Sequence, residues 1–203
     1  MASKKVLLTG FEPFGGASFN PSGAVVQEIA EHGIDGIEIV TAILPVEFKR
    51  APEKLIDLIS THKPSVVISL GQAEGRDFIG PEQVAINLAD ARIADNVGVK
   101  LENQRLNAAA ADAYFSTLPI RAIVDSISAL GISAKVSYSA GAFICNEIFF
   151  AAQSFLQGST VISGFIHLPL ASNQAAEFPG LPTMPIEDQV AAIRAAIQVS
   201  VDV

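Results

Sequence analysis

Residues 65–70 read SVVISL and run straight into GQAEG at 71–75. A nearly unbroken β-branched and aliphatic run of this length is the pattern of a strand buried on both faces of a parallel sheet, whereas a half-exposed strand would alternate. On its amino-terminal side, PEKLIDLIS at 52–60 has helical periodicity, and IEIVTAIL at 37–44 reads as another strand. Further back, Val6–Thr9 is a short aliphatic strand, followed by the Gly-rich loop GFEPFGG at 10–16. Asn20-Pro21-Ser22 opens a helix, with Asn20 as cap and Pro21 in the first turn, and Gly33 stops it. On the carboxyl side, residues 78–106 are polar and read as hairpins or irregular excursions. A helix is expected over 120–130, a strand over 134–138 (AKVSY), a helix over 145–156, a strand over 160–166 broken at Gly164, and a terminal helix over 187–197. Strands alternating with helices of this length predict a three-layer α/β domain around a largely parallel sheet. No repeat and no Pro/Gly linker divides the chain, so a single domain is expected over 1–203.

Composition narrows the function classes. Half of the 203 residues are hydrophobic, enough for a sizeable core. The single cysteine, Cys145, cannot form an intramolecular disulfide. The start, MASKKVLLTGFEPFGG, has only a three-residue aliphatic run, too short for a secretory signal. No stretch approaches a membrane span. These features point to the cytoplasm. The net charge of −8 and the 13 scattered Lys and Arg residues argue against nucleic-acid binding. GFEPFGG lacks the GK[ST] of a phosphate-binding loop and the spacing of a dinucleotide fingerprint, and three scattered histidines make no zinc set; no cofactor or metal is expected.

In open α/β sheets ligands bind beyond the carboxyl ends of the strands. Four loops would emerge there if their strands are parallel: GFEPFGG, GQAEGRD, SAGAFIC and HLPL. Cys145 follows a small-residue turn at or near a helix start, where exposed amides stabilise a thiolate. It is either a nucleophile or a packed small hydrophobe. A cysteine nucleophile needs an imidazole. His32 sits in the last turn of a helix and His62 reads as a loop residue, but His167 stands at the expected ligand edge. A third group should orient that imidazole. The carboxylates near this edge are Glu12, Glu74, Asp77, Glu82, Asp90 and Asp95; spacing does not rank them, though the apolar flanks of Glu82 in GPEQVAINLADAR favour its burial.

Taken together, GFEPFGG (10–16), NPS (20–22), LPVEF (44–48), GQAEGRDFIGPEQVAINLADARIADN (71–96), YFSTLP (114–119), SAGAFICN (139–146) and GFIHLP (164–169) closely resemble the type I pyroglutamyl peptidases, also called pyrrolidone-carboxylate peptidases. The resemblance spans most of the chain in order and spacing. It implies an α/β/α sandwich around a twisted mixed sheet. It also implies a cysteine peptidase that removes an amino-terminal pyroglutamate from peptides, needs no cofactor, and forms homodimers or homotetramers. On this footing Cys145 is the nucleophile, His167 the base, and Glu82 the residue that orients it. Phe11, Phe14 and Phe143, with Ile144 beside them, would hold the lactam ring; Gln72 would form the pocket wall and Arg92 would lie near the active site. Two departures stand out: Glu147 where the family often has histidine, and Ala94 where it has proline. Glu147 is expected to point away from the thiol, and Ala94 to loosen its loop. Two other readings share these residues. One is a Cys–His amidase of different substrate; the other is a catalytically silent member, whose cysteine would alkylate slowly at neutral pH.

Overall fold

The computed structural model describes residues 4–203. Its main sheet has five strands in the order β2 (Glu38–Leu44), β1 (Lys5–Phe11), β3 (Val66–Gln72), β7 (Ile162–Leu168), β4 (Gly80–Pro81). The first four are mutually parallel and β4 runs antiparallel to β7. Every residue of β3 is buried, as its unbroken apolar run requires.

Successive strand side chains point to opposite faces, and the two faces carry separate cores. Val6, Leu8, Val66, Ile68, Leu70, Ile166 and Leu168 pack with residues of α1 (Pro21–His32), α3 (Ile120–Ala129) and α5 (Ile186–Val201). Leu7, Val67 and Phe165 face the other way, onto α2 (Arg50–His62) and α4 (Ile144–Phe155). The result is the α/β/α sandwich expected from the sequence. Helix α1 starts as read: Asn20 Oδ1 accepts from Ser22 N at 3.0 Å, and Pro21 occupies the first turn.

Several expectations are corrected. Strand β1 continues through Gly10 and Phe11, which the sequence placed in a loop. Strand β7 is not broken at Gly164; a Cβ there would lie 2.6 Å from Leu118 Cδ1, so the glycine admits a close neighbour rather than ending the strand. His167 therefore lies inside β7, and His62 closes α2 rather than lying in a loop. Strand β6 (Ala113–Phe115), paired with β5 (Val84–Ile86), was not foreseen. The AKVSY segment differs most. Ala134 pairs in parallel with Ile79, and Ser137 with Glu82. The segment thus runs alongside β4 and antiparallel to β7, so the condition for SAGAFIC to leave a parallel strand fails. The chain instead turns through Gly141, at φ 74°, and α4 begins beside β3.

Candidate active site

His167 pairs with Gly71 of β3 on one side and with Gly80 of β4 on the other. Its Nδ1 lies 2.7 Å from Glu82 Oε1. Glu82 follows β4 directly and is fully buried, and its N–H donates to Phe165 O at 2.9 Å. The main chain thereby fixes the carboxylate to the strand that carries the imidazole. The other five carboxylates do other work or stay at the surface. Glu12 accepts from Val46 N and Asn96 Nδ2, while Asp95 accepts from the N–H groups of Phe48, Val97 and Val99. These bonds brace the loop that carries Ala94, so the missing proline does not leave it untied.

Cys145 is the second residue of α4 and half-buried. Asn146 locks the helix start in place: its Oδ1 accepts from Ile86 N, and its Nδ2 donates to Ile86 O and Leu88 O. The N-cap position, Phe143, supplies no side-chain bond, which leaves first-turn N–H groups for a developing anion. Gly71 is the seat of the thiol. A Cβ on Gly71 would stand 2.8 Å from Cys145 Sγ and 2.6 Å from the Phe165 ring. The sulfur therefore rests on the bare backbone of the residue that pairs with His167.

Burial alone would raise the Glu82 carboxyl, but the hydrogen bond of His167 and its charge when protonated, the hydrogen bond of Ser137 and the Arg76 guanidinium hold it below its ordinary value. Burial pulls His167 below its usual 6.5, against the opposing pull of Glu82. Burial also pushes the Cys145 thiol up to about 12, and the charge of Glu82 adds to this. The resting site thus holds a neutral thiol, a neutral imidazole and an anionic carboxylate. With Nδ1–H donated to Glu82, the imidazole Nε2 carries the lone pair that can take the thiol proton.

A cleft of ≈ 390 Å³ opens over Cys145 and His167; Gln72, Arg76 and Arg92 also line it. Against it lies a slot bounded by Phe11, Phe14, Phe143, Ile144 and Gln72, with Cys145 also in its lining. Phe143 stacks at a tilt on Phe14, centroids 6.3 Å apart, and meets Phe48 edge-on at 5.4 Å. Gln72 is oriented by Gln174, whose Nε2 donates to Gln72 Oε1 at 3.1 Å. Arg92 is exposed on the cleft wall, apart from the slot. The ring-binding candidates are thus brought together, and Arg92 stands nearby.

Two lining residues escaped the sequence reading. Asn20, read only as a helix cap, also lines the slot. Arg76 donates from Nη1 to Glu82 Oε1 at 2.8 Å and from Nη2 to Ser139 O at 3.0 Å. The signal for Arg76 was present, since a carboxylate expected to be buried needs a cationic partner and GQAEGRD supplies an arginine six residues before it. Glu147 does point away: both its oxygens accept from Lys49 N, at 3.2 and 3.3 Å. It lines a larger cavity, ≈ 660 Å³, between α2 and α4, from which Cys145 and His167 are absent.

Comparison with known proteins gives one answer. The family model for pyroglutamyl peptidase matches residues 4–203. A pyrrolidone-carboxylate peptidase of Vibrio vulnificus (strain YJ016) is 44% identical over 92% of this chain and 88% of that relative. The crystal structure of pyroglutamyl peptidase I from Bacillus amyloliquefaciens superposes with a TM-score of 0.94 at 36% identity, covering 98% of each chain. A pyrrolidone carboxyl peptidase mutant from the hyperthermophile Pyrococcus furiosus gives 0.93 at 38% identity, again over 98% of both.

Proposed function

This chain belongs to the pyroglutamyl peptidase family, and from that membership and the site geometry we propose how its residues carry out the reaction. It is a cysteine exopeptidase that removes an amino-terminal pyroglutamyl residue from peptides. The observation that carries the residue assignment is the buried His167–Glu82 pair at 2.7 Å beside the Gly71 seat of Cys145 Sγ.

Pyroglutamate is a flat, uncharged lactam. The slot lined by Phe11, Phe14 and Phe143 suits that ring, and the Gln72 amide offers a polar partner to its edge, the Asn20 amide being engaged by Ser22 and Glu12. With the ring seated, Cys145 Sγ attacks the pyroglutamyl carbonyl as His167 Nε2 takes the thiol proton. Glu82 steadies the imidazolium so formed. First-turn amides of α4, including that of Cys145, hold the oxyanion. Collapse passes the proton from His167 to the leaving amine and leaves a thioester. Water, deprotonated by His167, then releases free pyroglutamate and restores the thiol. A charged amino terminus, open-chain in glutaminyl and cyclic in prolyl substrates, would have to desolvate in the apolar slot, which disfavours both.

The test is the release of a fluorescent amine from its pyroglutamyl, prolyl and glutaminyl amides under reducing conditions. Release from the pyroglutamyl amide alone is expected; comparable release from the other two would overturn the slot assignment. Within the slot, Phe143 is the side chain to remove, because Phe11 is core-buried and its loss would also cost stability. Phe143→Ala is expected to lower kcat/KM for the pyroglutamyl amide by about 10-fold or more while the melting temperature holds. Unchanged kinetics would remove Phe143 from the site. We also place the enzyme in the cytoplasm, as a homodimer or homotetramer of a single catalytic domain; this rests on composition and on the family resemblance, and light scattering of the purified chain tests the assembly.

A further inference from the structure

We propose that Arg76 is a positioning residue that couples the two halves of the catalytic apparatus, holding the carboxylate that orients His167 while tying it to the turn that delivers Cys145. The proposal rests on the catalytic reading given above. Four observations carry it.

First, Arg76 Nη1 and His167 Nδ1 both address Glu82 Oε1, at 2.8 and 2.7 Å. The guanidinium thus fixes the one oxygen that fixes the imidazole. Second, Arg76 Nη2 donates to Ser139 O at 3.0 Å, and Ser139 stands six residues before the nucleophile, in the turn leading to α4. The rigid fork of arginine can serve both acceptors at once; lysine, a single point charge, cannot. Third, the strand beside His167 makes room for this side chain: a Cβ on Gly80 would stand 2.7 Å from Arg76 Nη1. Fourth, the Phe78 ring lies under the guanidinium, 5.7 Å from its centroid to Cζ, and limits its swing.

The charge has a second consequence. Arg76 lies near the imidazole as well as the carboxylate, and it disfavours the imidazolium while favouring the thiolate. The groups around His167 are Glu82 after β4, Arg76 and Glu74 from the loop after β3, Cys145 of α4, and Asp90 and Arg92 across the cleft. Of these, Arg76 alone is bonded to the carboxylate that His167 uses.

The experiment compares wild type, Arg76→Gln and Arg76→Lys on a pyroglutamyl amide across pH, with melting temperatures alongside. Arg76→Gln is expected to lower kcat/KM about 10- to 100-fold, the loss of charge-assisted hydrogen bonds. The loss should fall on kcat, since Arg76 does not line the ring slot. The acid limb should move to higher pH, because His167 loses the cation that disfavours its protonation. Arg76→Lys should keep the wild-type acid limb and still lose kcat, because the Ser139 tie is gone. An acid limb that stays in place in Arg76→Gln, even with a lower melting temperature, marks a merely structural arginine and overturns the proposal. Should Arg76→Gln fail to fold, a wild-type kcat in Arg76→Lys overturns it equally. A wild-type chain that turned over no pyroglutamyl amide would instead overturn the catalytic reading beneath it.

Discussion

Cys145→Ala is expected to reduce turnover of a pyroglutamyl amide by about a million-fold in kcat, leaving only what binding and the oxyanion amides supply. The reason is that, among the described residues, the slot is lined by no other nucleophile. The chain holds no second cysteine, and the remaining slot residues are aromatic, aliphatic or amide side chains. The substitution removes one sulfur from a half-buried position over Gly71, so the fold should survive and the variant should still bind the lactam ring. Active-site titration and steady-state release, with a melting curve as control, would check this. A kcat within about a thousandfold of wild type would assign the nucleophile elsewhere.

Glu82→Gln is expected to cost about 10,000-fold in kcat. Its oxygen is replaced by a neutral amide of the same shape, so Arg76 and His167 lose the shared anion to which both now donate. The imidazolium formed during attack is then unsupported, and the tautomer that leaves Nε2 free is no longer enforced. Glu82 raises the affinity of His167 for a proton, so its loss should move the acid limb to lower pH, opposite to the shift expected for Arg76→Gln. KM should change little, because Glu82 does not line the slot. A kcat within tenfold of wild type would reduce Glu82 to a packing role.

The charge states revise one discriminator. Slow alkylation of Cys145 at neutral pH was expected only of a silent member. With the thiol pushed up to about 12 by burial, an active enzyme reacts slowly as well until substrate draws the proton to His167. Turnover, not alkylation, separates the two.

Much of this molecule could be read from its sequence because its central strands are buried on both faces. SVVISL and its neighbours therefore state their environment in composition alone. The direction of AKVSY could not be read this way. Its partner is the two-residue strand β4, and its pairing consists of isolated bridges, neither of which leaves a periodic trace. The site divides similarly. Cys145 near a helix start and His167 near the carboxyl end of a strand stand where chemistry is expected, but the Glu82–His167 contact joins residues 85 apart and leaves no local pattern. Gly71 looked like a turn residue after a strand, whereas it is the last turn of neither loop nor helix but part of β3, bare so that a sulfur can lie on it.

On the far side of α4 from Cys145, Glu147 sets a different balance. Burial lifts its carboxyl from 4.5 to about 7, against the opposing bond from Lys49 N and with the charge of Asp95 adding to the lift. Between those two values the folded chain keeps a proton that the unfolded chain has released, so this group's contribution to stability declines as pH rises through that window and levels off above it. His167, lowered by burial below its usual 6.5, acts in the opposite sense: below 6.5 the unfolded chain gains a proton that the buried imidazole resists, so its contribution to stability declines as pH falls. A buried acid and a buried base therefore pull in opposite directions just below neutrality, and the pH of greatest stability is a compromise between them rather than a property of either.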